Sequence, residues 1–237
     1  MYEDRILAFI DVLGFSDSIK KSMDNGLENE VETKKINSLI ESVQFSLENI
    51  NYSLKNKECD LINNKIVNQF SDTIIISYLK NDESEIFLLL LDILNICYTA
   101  LSTGFLLRGA IVLDKVYHTD KKIFGPALVK AYKIEKTMAI YPRIILDDSI
   151  TKILDTYNSK KCYSNELLKY SKKCLIKDFD GLYFINYFTS DYLNNWKESQ
   201  RHQNRLKQII EKLESIDDES VKLKLLWLKN KYSIFYK

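Results

Sequence analysis

Two aspartates stand at positions where a carboxylate would do chemistry. Asp11 lies near the end of the apolar run in "AFIDVLGFSD" (8–17), and Asp72 lies in "NQFSDTIII" (68–76), between two runs rich in β-branched residues. The first run is nearly continuous in apolar residues, which is typical of a strand buried on both faces. An ionised group beside a core is costly unless a cation or a network of hydrogen bonds compensates it. Two carboxylates that converge would therefore favour a bound Mg²⁺ or Mn²⁺ ion, since hard cations take oxygen ligands.

The spacing of apolar residues predicts an order of elements that brings the two aspartates together. The order begins β-α-α-β-β-α-β, which indicates an α/β (α+β) sandwich of the ferredoxin-like, palm-type kind, with helices packed on a mixed sheet. In this fold the first strand lies beside the hairpin that carries Asp72; the alternative is that Asp72 only caps a turn. The predicted strand segments are 5–12, 60–79 (a hairpin), 105–118, 143–147 and 178–188, and the predicted helices are 16–23, 28–55, 83–103, 125–139 and 149–170.

Composition and charge bound the class of protein. The chain has 237 residues with 34 Lys+Arg against 33 Asp+Glu, a net charge of +1, which predicts no nucleic-acid partner and no membrane partner. The apolar stretch 85–101 is interrupted by Asp92, so we interpret it as a buried helix. No signal peptide opens the chain and its four cysteines show no C-x-x-C spacing, so we expect a cytoplasmic protein. We predict a main domain at 1–190 and a C-terminal helical extension at 191–237.

The residues after Asp11 have the character of a phosphate-binding turn. They run through Gly14, Phe15 and Ser16 into a predicted helix, where backbone N–H groups and the helix dipole favour phosphate. Metal-binding carboxylates beside a phosphate site are typical of phosphoryl-transfer enzymes. We therefore expect these three residues to bind substrate.

Three motifs together resemble the class III nucleotidyl cyclases. "FIDVLGFSD" is similar to their first-strand signature F-x-D-[IV]-x-G-F-[ST], and "NQFSDTIII" to their second metal motif, with Ser71 where glycine is usual. "FGPALVKAYKIE" is similar to their later helix, G-D-x-V-N-x-A-x-R-x-E. The motifs follow in the family's order over residues 5–148. "LRGAI", "GPAL…AY…E" and "YPRI" also resemble the bacterial pyrimidine cyclases of the Pycsar antiphage systems.

The resemblance implies a metal-dependent nucleotidyl cyclase domain at 1–190 that acts as a homodimer with a composite active site. Two Mg²⁺ or Mn²⁺ ions would be held by Asp11 and Asp72, helped by the carbonyl of Val12. The ribose 3′-hydroxyl of a nucleoside triphosphate would then attack the α-phosphate in line and release pyrophosphate. The product is a 3′,5′-cyclic mononucleotide, and by the Pycsar resemblance it would be a signal in antiphage defence.

Three basic residues are candidates for binding the phosphates. Lys133 stands where the family has its transition-state arginine, and it keeps the charge but lacks the bidentate fork. Arg108 would act beside it as a catalytic residue, and Arg143 would bind substrate. For both arginines the alternative is an ion pair with a carboxylate at a strand edge.

The positions that read the base and ribose depart from the family pattern. Asn68 replaces the usual base-reading Lys or Glu, Pro126 replaces its partner Asp, and Val129 replaces the ribose-orienting Asn. An amide offers one donor group and one acceptor group, which suits the edge of uracil or cytosine. We therefore expect UTP or CTP to be favoured over ATP and GTP.

Two other functions remain open. Because Val129, Pro126 and Lys133 depart from the pattern, the chain could be a catalytically inactive nucleotide-binding or regulatory module. Two metal-binding aspartates on a palm-type fold also suit another nucleotidyltransferase, although no G-G-D-D or G-G-D-E-F run is present.

Overall fold

The secondary structure follows the predicted order of elements. The structure is a computed structural model that describes residues 1–54, 64–81, 84–156, 173–189 and 196–236. Its strands are β1 (Glu3–Leu13), β2 (Met23–Asp24), β3 (Leu27–Glu28), β4 (Lys65–Phe70), β5 (Thr73–Leu79), β6 (Leu106–His118), β7 (Ile123–Phe124), β8 (Ile144–Leu146), β9 (Leu175–Lys177) and β10 (Tyr183–Ile185). Its helices are α1 (Phe15–Ser22), α2 (Glu30–Leu54), α3 (Ser84–Ser102), α4 (Pro126–Thr137), α5 (Asp148–Thr156), α6 (Trp196–Glu214) and α7 (Glu219–Phe235).

The main sheet is built around β1, which pairs antiparallel with β5 on one side and with β6 on the other. The strand order is β4-β5-β1-β6-β8-β10-β9, with β7 on β6 and only β6–β8 parallel among the described pairs. The four strands β4-β5-β1-β6 have the ferredoxin-like order, so the predicted α+β sandwich with a mixed sheet is confirmed. The prediction missed β9 and the two-residue strands β2, β3 and β7, and most of the predicted helix at 149–170 lies outside the described residues.

The two faces of the sheet are covered unequally. The β1 side chains Ile6, Ala8 and Ile10 point into the main core, which α2 and α3 complete. The opposite face is covered by α4, whose Ala127 and Ala131 pack on a smaller apolar cluster. This second face therefore stays partly open beside α4, and it carries the candidate site described below.

The apolar segment near residue 90 forms the core helix that the sequence predicts. Among the described helices, Glu85–Ser102 is long and apolar enough to cross a bilayer by length and composition, and 72% of it is buried inside the fold. Asp92, which interrupts this helix, is buried and forms an ion pair with Lys65 at 2.7 Å and accepts a hydrogen bond from the Tyr78 hydroxyl at 2.7 Å. The expectation of a buried helix is confirmed.

Helix α1 begins differently from the prediction. The sequence predicts a helix that begins at Ser16, but the helix begins at Phe15 and its N-cap is Gly14, in the left-handed region at φ 76°. Phe15 is buried and packs near Phe105, which fixes the first turn to the core. Glycine supplies the left-handed turn without the steric cost of a Cβ atom. No side chain caps the helix, so its first N–H groups are left to solvent or a ligand.

The two C-terminal helices pack on the main core. Leu206 of α6 and Leu228 of α7 are fully buried, and both belong to the same cluster as the β1 side chains. The prediction of two amphipathic helices at the end of the chain agrees with this structure. The division into a domain at 1–190 and an extension at 191–237 stays a prediction.

A buried ionic network joins α7 to the end of the sheet formed by β8, β10 and β9. Arg143 is fully buried and forms ion pairs with Asp178 and Asp180 in the turn between β9 and β10. Asp178 also accepts hydrogen bonds from the Trp227 indole at 2.7 Å and the Lys231 ammonium at 2.6 Å. The substrate-binding role expected for Arg143 does not agree with this burial, because its guanidinium faces structural carboxylates. The alternative considered for Arg143, an ion pair, is what the structure contains.

We predict that Asp178→Asn destabilises the protein by about 3 kcal/mol, because it leaves buried cations without their counter-charge. Burial raises the pKa of Asp178, but hydrogen bonds from Lys231 and Trp227 outweigh this and hold that pKa below its usual 3.8. Because its folded-state pKa is lowered, Asp178 stabilises the protein at any pH above its unfolded-state pKa. This contribution is lost as the pH falls through the folded-state pKa. Urea unfolding of wild type and variant between pH 3 and 7 measures it. The exposed Asp217→Asn is the control, and equal stability of D178N and wild type at neutral pH would contradict the prediction.

Candidate functional site

The fold brings Asp11 and Asp72 together as the sequence predicts. Asp11 pairs with Thr73 across the β1–β5 ladder, so the residue before Thr73 reaches the end of β1. The hairpin turn consists of Ser71 and Asp72, with Ser71 in the left-handed region at φ 54°. The Val12 N–H donates to the Asp72 carbonyl at 3.0 Å, which ties the turn to β1.

Arg108 lies on the other side of Asp11. It is opposite Asp11 in the β1–β6 ladder, and its Nε–H donates to Asp11 Oδ2 at 3.1 Å. The same Nε lies 2.6 Å from Glu135 Oε1, an ion pair without hydrogen-bond alignment. Among the described residues neither terminal nitrogen of Arg108 has a hydrogen-bond partner, and the side chain is 28% exposed. Arg108 therefore pairs with carboxylates, as the alternative reading held, and still presents donors to solvent.

Glu135 is the site residue that the sequence argument missed. It is buried on α4, four residues after Ala131 and eight after Ala127, the two alanines that pack on the sheet. Residues four apart lie on one face of a helix, so the spacing places Glu135 on the packed face. The signal was present in "ALVKAYKIE", where an acidic residue continues a stripe of small residues.

The carboxylates are in excess over the cations that hold them. Burial raises the pKa of Asp11, the nearby Asp72 raises it further, and Arg108 only partly offsets both. Burial and the charge of Asp11 likewise raise the pKa of Glu135 against the opposing effect of Arg108. One guanidinium thus serves the half-buried Asp11 and the buried Glu135, and Asp72 adds a third charge nearby.

This donor set fits a hard cation. Carboxylates and a backbone carbonyl are the oxygen ligands that Mg²⁺ and Mn²⁺ take, and a bound cation would offset the excess charge. The residues that would hold it are Asp11, Asp72 and the Val12 carbonyl. Within the described part of the chain no three His, Cys, Asp or Glu side chains group as a metal site, so any ion would complete its shell with water or substrate oxygens.

The turn after β1 offers backbone groups for a ligand. A Cβ atom added at Gly14 would meet no atom within 4 Å, so the space in front of the turn is open. Ser16 is exposed at the first turn of α1. Phe15, in contrast, is only 4% exposed, so its side chain serves the core. Of the three predicted substrate-binding residues, Phe15 has only its backbone N–H to offer a ligand.

Asn68 belongs to a chain of hydrogen bonds on the α4 side of the sheet. The Arg5 Nε–H donates to Ser77 Oγ at 2.7 Å, and Ser77 Oγ lies 2.7 Å from His118 Nδ1. His118 Nε2 lies 2.7 Å from Asn68 Oδ1, and the Asn68 Nδ2 donates to the Asp120 carbonyl at 2.9 Å. Asn68 is therefore held at both ends, and each end keeps one further hydrogen-bonding position.

The protonation of His118 sets the direction of this chain. Burial lowers the pKa of His118 to about 4, with the Arg5 charge adding to the effect, so the ring is neutral at physiological pH. Because the Asn68 carbonyl oxygen only accepts, His118 Nε2 carries the proton and Nδ1 accepts from the Ser77 hydroxyl. Every donor then points from Arg5 toward Asp120, which fixes the orientation of the Asn68 amide.

The α4 candidates face away from Asp11 of the same chain. Pro126 occupies the first position of the helix, as expected for proline. Val129 is 68% exposed. Lys133 is also exposed, and its ammonium forms no ion pair with the described residues. Lys133 lies two residues from both Ala131 and Glu135, so it is on the solvent side of α4, opposite the face that packs on the sheet.

Comparison with known proteins gives similarity at the level of general fold. No protein-family model matches the chain, and no curated protein matches it. Similar solved structures include the adenylyl cyclase CyaB from P. aeruginosa (14% identity, 78% of this chain and 94% of that one, TM-score 0.41). A bacterial light-regulated adenylyl cyclase has 13% identity over 86% of this chain and 99% of its own, with a TM-score of 0.43. The guanylyl cyclase domain of RhoGC from Blastocladiella emersonii has 11% identity over 78% and 95%, with a TM-score of 0.44.

We predict that Asp11→Asn is more stable than wild type at neutral pH without divalent ions. The folded-state pKa of Asp11 is raised, so wild type loses stability as pH rises from the unfolded value through the folded one, and asparagine removes that loss. Mn²⁺ should raise the Tm of wild type and leave the Tm of Asp11→Asn and Asp72→Asn unchanged. Thermal unfolding with EDTA or Mn²⁺ checks both effects, with the exposed Glu211→Gln as control. A Mn²⁺ shift that persists in both variants would exclude this metal site.

Proposed function

We propose that the protein is a metal-dependent nucleotidyl cyclase that converts a nucleoside triphosphate to a 3′,5′-cyclic mononucleotide and pyrophosphate. The observation that carries this proposal is the convergence of Asp11 and Asp72 at the end of the central strand, with more negative charge than Arg108 balances. Bound Mg²⁺ or Mn²⁺, two ions by the sequence resemblance, would activate the 3′-hydroxyl and stabilise the triphosphate.

The chain's own residues would position and neutralise the substrate. The open turn at Gly14 and the first N–H groups of α1 would receive phosphate oxygens, since a helix N-terminus favours anions. The terminal nitrogens of Arg108 would donate to the phosphates and offset charge that develops in the transition state. Glu135 would hold Arg108 in place, because the two are 2.6 Å apart.

Asn68 would read the nucleobase. It lies on the partly open face of the sheet that also carries Asp11, because Asn68 pairs with Ile75 and Ile75 pairs with Phe9, and in a shared site it would meet a nucleotide held by the metals of a second copy. The hydrogen-bond chain through His118 fixes which end of the amide donates and which accepts. One remaining donor and one remaining acceptor match the O4 carbonyl and N3–H of uracil, or the N3 and N4 amino group of cytosine, which supports a preference for UTP or CTP. Pro126 would add an apolar contact.

The decisive experiment is incubation of the protein with each of the four nucleoside triphosphates and Mn²⁺, with products identified by mass. We expect a cyclic pyrimidine nucleotide, a kcat/KM for the best pyrimidine at least ~10-fold above the purines, and loss of product in Asp11→Ala. Asn68→Ala and Ser77→Ala should reduce this discrimination more than they reduce kcat for the best substrate. A purine preference would overturn the role of Asn68.

The same experiment separates the other candidate functions. Nucleotide binding without turnover would indicate the inactive regulatory module. Linear extension or transfer products would indicate another palm-type nucleotidyltransferase. The roles in antiphage defence and in the cytoplasm rest on the sequence alone and stay predictions.

We also propose that the active site is shared between two copies of the chain. Lys133 is exposed and separated from its own aspartates, and the exposed apolar side chains of Val129 and Tyr132 flank it on α4. Phe70, at the tip of the β4–β5 hairpin, is 84% exposed and lies in the same cross-strand row as Asp11. An exposed apolar surface beside a half-built site fits a second copy of the chain. Lys133 and Asn68 would then face the metals of the partner.

We predict that mixing inactive Asp11→Ala chains with inactive Lys133→Ala chains restores activity. A mixed dimer has one site that carries both substitutions and one that carries neither, so random mixing restores up to about a quarter of wild-type activity per chain. Activity after mixing, with sedimentation of each variant, measures this. Lys136→Ala on the same helix is the control and should be active alone. Turnover by a strictly monomeric protein would contradict the shared site.

A further inference from the structure

A cavity of about 360 Å³ lies where the C-terminal helices meet the end of the central sheet. Its walls come from the β1–α1 turn, the start of β6 and the facing ends of α6 and α7. Four lysines line it: Lys21, Lys35, Lys212 and Lys224. Their ammonium groups come from four different helices, so the cluster is created by tertiary packing.

The carboxylates of the cavity only partly offset the charge of these lysines. Asp218 is the N-cap of α7, and its Oδ1 accepts from the Val221 N–H at 3.0 Å and the Ser220 hydroxyl at 2.6 Å. Asp17 is exposed and lies 3.8 Å from Lys20, which points outside the cavity. The cavity therefore has a surplus of positive charge in a chain whose net charge is only +1.

The lysines are held near one another without enough counter-charges. Lys35 lies 3.2 Å from Glu32 and 4.0 Å above the Phe105 ring, so its position is fixed. Burial lowers the pKa of Lys35, and the charges of Lys212 and Lys21 lower it further. Among the described residues, the ammonium groups of Lys21, Lys212 and Lys224 form no ion pair. Like charges kept this close favour a bound anion.

The cavity adjoins the carboxylate site. Gly14 lines it, and the space in front of Gly14 is open. Lys224 has its pKa lowered by burial and by Arg108, with opposing effects of Asp218 and Asp11, so its ammonium is within electrostatic reach of both site residues. The anion that the cavity takes would therefore extend toward Asp11.

We propose that this cavity binds a chain of phosphate groups, with Lys212 and Lys224 of the C-terminal helices as ligands. Lysine is a point-charge donor that suits phosphate oxygens, and four separate ammonium groups suit a ligand with several charges. A volume of about 360 Å³ exceeds the needs of a single phosphate. The ligand is either the triphosphate of the substrate, a reading that rests on the proposed function, or a separate pyrophosphate or polyphosphate anion.

The test measures binding without catalysis. Isothermal titration of the full chain with tripolyphosphate and with pyrophosphate, in EDTA and at fixed ionic strength, should show saturable binding that weakens as NaCl is raised. Lys212→Ala and Lys224→Ala should each weaken affinity about tenfold or more, since charge-assisted hydrogen bonds contribute roughly 1.5–3 kcal/mol. Lys212→Arg keeps the charge and should keep most of the affinity. Lys207→Ala on α6 and Lys222→Ala on α7 point away from the cavity and should match wild type.

Measuring the Tm of each variant without anion distinguishes a loss of binding from a loss of folding. Lys212→Ala relieves repulsion on Lys35, so its Tm without anion should equal or exceed that of wild type while the rise in Tm with tripolyphosphate is reduced. No saturable binding by wild type, or equal binding by Lys212→Ala, Lys224→Ala and the controls, would overturn the proposal.

A competition arm distinguishes the two sources of the phosphate chain. If UTP or CTP in EDTA displaces tripolyphosphate, the cavity holds the substrate's triphosphate; if both bind together, it holds a separate anion. Tripolyphosphate binding by a protein that turns over no nucleoside triphosphate would contradict the proposed function and leave this site in place. Turnover of a nucleoside triphosphate by a wild-type protein that binds no anion would support the proposed function and overturn this site.

Discussion

The ion pairs of Arg108 with Asp11 and Glu135 are the interaction on which the organisation of the site depends. They join three elements, since Asp11 is on β1, Arg108 on β6 and Glu135 on α4. Two half-buried or buried carboxylates beside one guanidinium leave a negative excess, which Asp72 increases. An uncompensated charge of this kind costs stability in the free protein. A bound cation would recover that stability.

The unequal covering of the sheet explains where function is placed. One face is filled by α2 and α3 and serves as the core, while α4 is the described helix that packs on the small cluster of the other face. Polar side chains are accommodated on this second face because they are hydrogen-bonded to one another, from Arg5 through Ser77 and His118 to Asn68. A neutral His118 keeps the chain of donors in one direction, and this gives Asn68 a defined orientation toward a ligand.

Helix α7 contacts both the buried ionic network and the basic cavity. Through Trp227 and Lys231, α7 donates to Asp178, which in turn pairs with the fully buried Arg143. The same helix carries Lys224 at the cavity beside Asp11. Loss of the buried network would therefore disturb the basic cavity as well as the strands β8, β10 and β9.

The sequence by itself determined the order of strands and helices and the pair of aspartates. Alternating apolar runs and turn residues are local signals, and they placed β1 and α4 to within two residues of their ends and the end of the β4–β5 hairpin at Leu79, although β4 begins at Lys65 and not at the predicted 60. The proximity of Asp11 and Asp72 followed because β1 and the β4–β5 hairpin are neighbours in the ferredoxin-like strand order. The local pattern also identified the turn at Gly14, but it placed the start of α1 at Ser16, one residue late, because tertiary packing decides that Phe15 is buried in the core.

Only the tertiary structure decided which charges meet. Arg143 resembled a phosphate ligand in sequence, but strand packing placed it against Asp178 and Asp180, 35 and 37 residues later. His118 and the four lysines of the cavity carry no distinctive spacing, because their partners come from distant segments. Electrostatic energy depends on separation in space and on burial, and sequence distance reports neither of these.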